Sequence, residues 1–317
     1  MSERVVWWNG KIIPEREARV SIYDSALMFG DTVFEMLRSF NRKHFKLEEH
    51  INRLYNSAKY IRLEIPFTRS YLMNACEEIS KLNEPNFNSD DEHRLMINVT
   101  RGLLSIYRGI DLEEKGPNVI IADFPLRWTV QGMGKLFDVG VNAITPNQRT
   151  IPARYLEPKV KNRSRLHYLM ANIEVSLCSG ENNWALLLDD DGFVCEGTGA
   201  NFFIVERQGR LITPESRNIL RGISRDYVRS LKSTVIRNIE LYDVMTAQEA
   251  FFTGTPFCIM PCTSINGVKI GDGEVGPVTK ELLKIWSRNV EVDIIGQIKK
   301  WDEDNLKDGA SPYSFKK

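Results

Sequence analysis

The stretch Lys159–His167, KVKNRSRLH, places a basic or imidazole side chain at every second position and leads directly into a different pattern. Over residues 166–177 the apolar side chains recur three and four positions apart, which predicts an amphipathic helix. The alternation before it predicts a strand that carries Lys159, Lys161 and at most Arg163 on one face. These few charges do not form a continuous nucleic-acid stripe, so the question is whether one lysine does chemistry.

The bulk composition is that of a neutral globular protein. Of the 317 residues 42% are hydrophobic, and 42 Lys and Arg balance 42 Asp and Glu, so no overall field attracts nucleic acid or an anionic membrane. The start lacks the pattern of a signal peptide, and the chain has no apolar run long enough to span a membrane. We expect a soluble, cytoplasmic protein whose five cysteines are reduced, with Cys258 and Cys262 packed in the core and no metal site.

The hydrophobic patterns predict an α+β architecture with antiparallel strands and segregated helices. Asn9-Gly10 predicts a hairpin. Helices are predicted over 48–63, 71–82, 166–177, 223–233 and 277–286. Strands are predicted over 32–40, 44–47, 94–102, 118–124, 138–144, 249–254 and 258–270, with four more between 184 and 213. We expect a smaller N-terminal domain over 1–124, a Pro- and Gly-containing connection over 125–134, and a larger C-terminal domain over 135–317.

One glycine motif is a false lead. Gly271–Gly276 satisfies G-x-G-x-x-G before a helix, and Asp293 has the spacing of a ribose-binding acid. However, Asp272 and Glu274 would repel a pyrophosphate, and too few residues follow for a parallel sheet. We interpret the stretch as a turn before a helix that has Pro277 at its first position.

Other segments offer backbone and side chains suited to a ligand. Residues 196–201, EGTGAN, let backbone approach a ligand closely and put Glu196 at the end of a strand, although alone the motif is typical of a hairpin bend. Gly222 precedes a helix whose first amides could bind phosphate. The candidate phosphate ligands are one guanidinium, two amides and two hydroxyls: Arg53, Ile223, Ser224, Thr253 and Thr255.

Taken in chain order, these motifs resemble the class IV aminotransferases, the fold-type IV pyridoxal-phosphate enzymes. They are YDSALMFGDTVFEMLR, HINRLYNSAKYI, the lysine before a long helix, EGTGANFFIV, ILRGISRD, FFTGTP and GPVTKELL. The resemblance covers nearly the whole chain and implies a two-domain fold like that of D-amino acid aminotransferases. It also implies pyridoxal 5'-phosphate as the cofactor, an amino donor and a 2-oxo acid as substrates, and a homodimer.

The resemblance implies a role for individual residues. Lys161 stands at the Schiff-base lysine, with Lys159 as the competing choice, and Glu196 matches the acid that pairs with the pyridine nitrogen. The other cofactor positions are the phosphate ligands Arg53, Ile223, Ser224 and Thr255 and the ring-packing Leu220. The positions that line the substrate pocket are Phe29, Phe34, Arg38, Arg101 and Pro256. Lys161 would move a proton as general base and acid, and Glu196 would keep the pyridine nitrogen protonated.

Some positions depart from the family pattern. Many relatives have a tyrosine four or five residues after the lysine, serving the phenolic oxygen of the cofactor. Arg165 and Leu166 stand there instead, so Arg165 or Tyr168 would serve that oxygen. Phe29 replaces a frequent tyrosine, and Arg101-Gly102 is closer to the D-amino acid enzymes and the lyase.

The sequence therefore predicts a ping-pong aminotransferase whose donor is a branched-chain-like or D-amino acid or a primary amine. The alternative is a lyase of the aminodeoxychorismate type. A more distant alternative is a non-enzymatic nucleic-acid-binding or scaffold protein.

Overall fold

The computed structural model describes residues 3–107, 109–110 and 116–304 of the chain. Contacts divide it into two compact units. The first unit comprises Met1–Trp128 and Val160–Arg165, and the second comprises Thr129–Lys159 and Leu166–Lys317.

The segment that carries Lys161 differs from the expectation. The sequence placed Lys161 in the C-terminal domain, but residues 160–165 belong to the first unit. The reason is local packing, because Val160 is buried in the core of that unit and Asn162 forms a β-bridge with Val33. The predicted connection over 125–134 contains a short helix, α4 (Arg127–Val130).

The first unit is built on one antiparallel sheet. Its strands are β1 (Val5–Trp8), β2 (Lys11–Pro14), β3 (Thr32–Phe40), β4 (Lys43–His44), β5 (His93–Thr100) and β6 (Asn118–Pro125). They are ordered β2-β1-β6-β5-β3-β4. The hairpin predicted at Asn9-Gly10 is confirmed, since both turn residues have positive φ, 47° and 90°.

Two helices cover one face of this sheet. The helices of the unit are α1 (Ser25–Phe29), α2 (Leu47–Tyr60) and α3 (Arg69–Asn83). The apolar stripes of α2 and α3 face the sheet, where Ile51, Leu54 and Leu72 are fully buried with Val33 and Leu37 of β3. The two predicted helices are confirmed, and the strand predicted over 44–47 is shorter because α2 begins at Leu47.

The second unit contains a sheet that closes on itself. Its strands are β7 (Val141–Ile144), β8 (Asn183–Leu188), β9 (Val194–Gly197), β10 (Asn201–Val205), β11 (Leu211–Pro214), β12 (Thr234–Arg237), β13 (Glu249–Gly254), β14 (Cys258–Ile265) and β15 (Val268–Lys269). The order β10-β13-β14-β7-β8-β9 returns to β10 through the pair Asn201 and Glu196. Four fully buried phenylalanines fill β10 and β13: Phe202, Phe203, Phe251 and Phe252. The predicted burial of Cys258 and Cys262 on β14 is confirmed.

The remaining helices follow the first sheet in the chain. They are α5 (Leu136–Val139), α6 (Leu166–Ser176), α7 (Ile223–Leu231), α8 (Leu241–Thr246), α9 (Pro277–Asn289) and α10 (Ile294–Asp304). The strand predicted over 138–144 is wrong at its start, because Gly140 at φ 72° ends α5 and the strand begins only at Val141. Strand β12 and helices α8 and α10 were not predicted.

The glycine motif at 271–276 is a turn before a helix, as predicted. Pro277 is the first residue of α9, and the amides of Val278 and Thr279 donate to the carboxylate of Glu249 at 2.9 and 2.8 Å. Asp293 accepts from the amide of Gly296 at the start of α10. Among the residues that the structure describes, no helix is long and apolar enough to cross a membrane.

Candidate active site

Lys161 lies in a segment that joins the start of β3 at a single bridge. Its carbonyl accepts from the amide of Phe34 at 3.0 Å, and its own amide donates to Ser57 Oγ of α2 at 3.2 Å. The strand predicted over 159–163 is therefore wrong, since only Asn162 forms a β-bridge. Lys159 belongs to the second unit, where its Nζ donates to Glu157 at 2.7 Å and to the carbonyl of Arg217 at 3.1 Å.

The cationic side chains of this segment lie close to the aromatic ring of Phe34. Phe34 is almost fully buried, and Lys161 Nζ lies 4.8 Å from its ring centroid. The guanidinium carbons of Arg163 and Arg165 lie 3.7 and 5.6 Å from the same centroid. Arg163 is also bonded to Asn98 Oδ1 at 2.9 Å. The structure thus brings the predicted residues Lys161 and Phe34 together.

Arg53 projects from α2 to the fully buried carboxylate of Glu35 on β3. Its Nε and Nη2 donate to Oε1 and Oε2 at 2.6 and 2.7 Å, and His50 Nδ1 lies 2.7 Å from Oε2. Burial alone would raise the pKa of Glu35, but the charges and hydrogen bonds of Arg53 and His50 lower it well below its ordinary value. The guanidinium of Arg53 is therefore held in one orientation by an ionised partner.

His50 links this pair to Lys161 electrostatically. Burial lowers the pKa of His50, against the opposing effect of Glu35, and the positive charges of Arg53 and Lys161 lower it further. Sequence reasoning assigned no role to Glu35 or His50. The missed signal was the alternation of β3, which turns Val33, Glu35 and Leu37 toward the helices.

Glu196 lies where β9 meets β10, and it is 4% exposed. Its Oε2 accepts from Asn201 Nδ2 at 2.8 Å, and the amide of Leu220 donates to both carboxylate oxygens at 3.1 and 3.2 Å. Asn201 also pairs across the sheet with Thr253, so one row joins β9, β10 and β13. This row brings the predicted residues Glu196 and Leu220 together.

The start of α7 adjoins the same row. Gly222 is its N-cap and provides no side-chain cap, and a Cβ at Gly222 would lie only 1.9 Å from Asn201 Oδ1. The amides of Ile223 and Ser224 begin the helix there. In the turn after β13, Thr255 and Pro256 are half-buried.

The other predicted pocket residues of the first unit are Phe29, Arg38 and Arg101, and the carbonyl of Phe29 accepts from Ser164 Oγ of the Lys161 segment at 3.2 Å. Phe29, at the end of α1, is 67% exposed. Arg38 is buried against the ring of Phe40, about 13 Å along β3 from Phe34. Arg101 donates to Asp31 and to the carbonyls of Ile61 and Arg62, which secures the end of α2. These contacts give Arg38 and Arg101 structural roles, and their substrate roles stay predictions.

Comparison with known families decides the assignment. The family model for amino-transferase class IV matches residues 32–265, which include the Lys161 segment and the Glu196 row. The chain belongs to the class IV aminotransferases. The predicted family and the predicted fold are thereby confirmed.

Named relatives of this aminotransferase span nearly its whole length. A Methanocaldococcus jannaschii protein with the provisional name of branched-chain-amino-acid aminotransferase is 36% identical over 283 residues, 87% of this chain and 93% of its own. D-alanine aminotransferase of Bacillus licheniformis is 31% identical over 87% of this chain and 94% of its own. The branched-chain aminotransferase of Thermoproteus uzoniensis, solved with norvaline, superposes with a TM-score of 0.78 at 29% identity, covering 95% of this chain and 97% of that one.

Class IV aminotransferases use pyridoxal 5'-phosphate, and another similar structure, of a branched-chain amino acid aminotransferase, is solved with pyridoxamine 5'-phosphate. The residues present in this chain fit such a group. A buried carboxylate held by neutral donors suits a pyridine nitrogen. The start of α7, where no side chain of the described residues caps the helix by a hydrogen bond, suits a phosphate. Thr253 Oγ1 is buried and has no hydrogen-bond partner among the described residues, so a polar acceptor beside it would satisfy it.

Tyr168 of α6 was expected as one candidate for the phenolic oxygen of the cofactor. Its hydroxyl instead donates to Glu196 Oε1 at 2.9 Å. The two residues are 28 positions apart in sequence, so no local pattern signalled the contact.

Proposed function

We propose that this aminotransferase moves the amino group of a branched-chain amino acid to a 2-oxo acid in a ping-pong cycle, with Lys161 carrying the cofactor. The observation that carries the choice of lysine is the placement of Lys161 beside Phe34, held by Ser57 and β3. Lys159 is already engaged by Glu157 in an ion pair. The choice of substrate rests on relatives named as branched-chain enzymes.

The roles of the other residues follow from their chemistry. We assign Arg53, the amides of Ile223 and Ser224, and Thr255 to the phosphate. Arg53 suits it because Glu35 fixes the guanidinium through Nε and Nη2, and a guanidinium can donate to more than one anion. Leu220 is assigned to pack on the ring.

When bound, pyridoxal phosphate supplies a ring that withdraws electrons from the substrate Cα. Glu196 holds the proton on the pyridine nitrogen, which keeps the ring electron-poor. The amine of Lys161 takes the proton from the substrate Cα and returns it at C4′, so one residue acts as base and then as acid. Its carbonyl and amide bonds keep the backbone of Lys161 fixed during the transfer.

The expected homodimer is also a proposal. It is supported by an apolar face on α6 and just after it, whose side chains are exposed: Leu166, Leu169, Met170 and Leu177. Exposed apolar clusters of this kind favour association. Sedimentation equilibrium should give twice the chain mass, and a chain mass at micromolar concentration would contradict it.

A donor screen with the purified protein tests the function. The donors are both enantiomers of leucine, alanine and 1-phenylethylamine, with 2-oxoglutarate as acceptor. We expect L-leucine to be converted fastest, with one glutamate formed for each molecule of 2-oxo acid produced from leucine. A preference for D-alanine or for one amine enantiomer would contradict the branched-chain proposal, and pyruvate release from aminodeoxychorismate without amino transfer would indicate the lyase.

A further inference from the structure

The hydroxyl of Tyr168 reaches Glu196 from a helix that starts five residues after Lys161. Tyr168 lies in the first turn of α6, and its ring packs on the apolar cluster between α6 and β8. That cluster contains Ala171, Val175 and Leu187, which are buried. The phenol is therefore held by its ring and is directed at one oxygen of the carboxylate, Oε1, at 2.9 Å.

Three neutral donors from separate parts of the second unit converge on Glu196. Tyr168 donates from α6, Asn201 from β10, and Leu220 through its amide from the segment before α7. Neutral donors orient a carboxylate and stabilise its ionised form without cancelling its charge. The terminal torsion of a glutamate is otherwise broad, so the donors decide where its lone pairs point.

We propose that Tyr168 is a positioning residue for the pyridine ring of the cofactor and acts through Glu196. The inference rests on the proposed role of Glu196 at the pyridine nitrogen. It places the tyrosine of α6 at the nitrogen end of the ring and not at the phenolic oxygen. Without the hydroxyl, Oε1 loses a bond that is shorter than the one from Leu220, so the carboxylate rotates more easily away from the nitrogen.

The first test is cofactor binding by the cofactor-free protein. Tyr168→Phe removes one oxygen atom and keeps the ring in its cluster, so the fold is retained. We expect the Kd for pyridoxal phosphate to rise about tenfold, as for the loss of one hydrogen bond to a charged group. The pH profile of the absorbance band of the bound cofactor should shift. The matched control is Tyr242→Phe on α8, where the side chain is 72% exposed, and it should match the unmodified protein in both readouts.

The second test asks whether the effect passes through Glu196. In a Glu196→Gln background, we expect Tyr168→Phe to change the Kd by less than about twofold, because the charged acceptor is gone. The same tenfold change in both backgrounds would overturn the inference, since Tyr168 would then act on the fold. An unchanged Kd and pH profile in the single variant would overturn it as well.

Failure of the proposed function looks different. If the unmodified protein and Tyr242→Phe bind no pyridoxal phosphate, both the function and the inference fall. If they bind it and Tyr168→Phe binds it equally well with the same pH profile, the function stands and only the role of Tyr168 falls.

Discussion

Glu35 in the first unit and Glu196 in the second are both buried carboxylates, yet they are held by different kinds of partner. Glu35 is bonded to the guanidinium of Arg53 and to His50. Glu196 accepts from a phenol, an amide side chain and a backbone amide. The charge of Glu35 is compensated within the fold, whereas these donors to Glu196 orient its charge without cancelling it.

The different partners give the two carboxylates different roles. A compensated carboxylate fixes its partner, so Glu35 serves to hold Arg53 in place. A carboxylate whose donors are neutral retains attraction for a cation, and a protonated pyridine nitrogen is such a cation. The comparison therefore supports two proposals: Glu35 holds Arg53 in place for the phosphate, and Glu196 itself faces the cofactor.

The largest expected effect is a loss of stability when the ion pair between Glu35 and Arg53 is broken. Glu35→Ala removes the acceptor of Arg53 and of the buried His50, and the free energy of unfolding should fall by about 3–5 kcal/mol. Urea denaturation of the cofactor-free protein measures it. The matched control is Glu49→Ala on α2, whose ion pair with Lys46 is exposed and should cost less than about 1 kcal/mol. Equal losses in the two variants would remove the distinction on which the comparison depends.

Acid should weaken the first unit through its histidines. Burial and the neighbouring His93 lower the pKa of His44 from 6.5 to about 4. Above pH 6.5 both folded and unfolded states are neutral at this position. As the pH falls from 6.5 to 4 the unfolded state takes up the proton first, and stability falls by on the order of 3 kcal/mol. Replacing His44 with Gln should remove this part of the pH dependence of urea unfolding, and an unchanged slope would contradict it.

A smaller effect on stability is expected from a side chain that displaces Asn201, a donor to Glu196. Gly222→Ala would place a Cβ against Asn201 Oδ1 and displace a donor to Glu196, at a cost of about 1–2 kcal/mol. Cofactor affinity should fall with it. Gly109→Ala is the control, because nothing lies within 4 Å of a Cβ at Gly109. Indistinguishable melting temperatures and Kd values for the two variants would show that the row tolerates displacement.

Local chemistry accounts for what the sequence predicted correctly. The hairpin at Asn9-Gly10 follows from residues that tolerate positive φ, and α2 follows from an apolar stripe that faces the sheet. Helix α10 could have been found from Asp293 at its start and from the apolar positions Ile294 and Ile298. Each of these signals lies within a few residues of the element that it predicts.

Contacts between distant segments account for what was missed. The closure of the second sheet was not predicted. Glu196 and Asn201 pair across a short bend, but the other strands that complete the closed sheet lie far apart in the sequence. The alternation of KVKNRSRLH suggested a strand, but the segment forms a single β-bridge with β3, between Asn162 and Val33. Likewise, the bond from Tyr168 to Glu196 depends on the packing of α6 against β8, which no local pattern specifies.

The claim that Lys161 carries the cofactor is tested most directly by borohydride reduction of the protein loaded with pyridoxal phosphate, followed by peptide mass mapping. We expect a single reduced adduct on Lys161, unchanged in Lys159→Ala and absent in Lys161→Ala. An adduct on Lys159, or full loading of Lys161→Ala at another lysine, would contradict it.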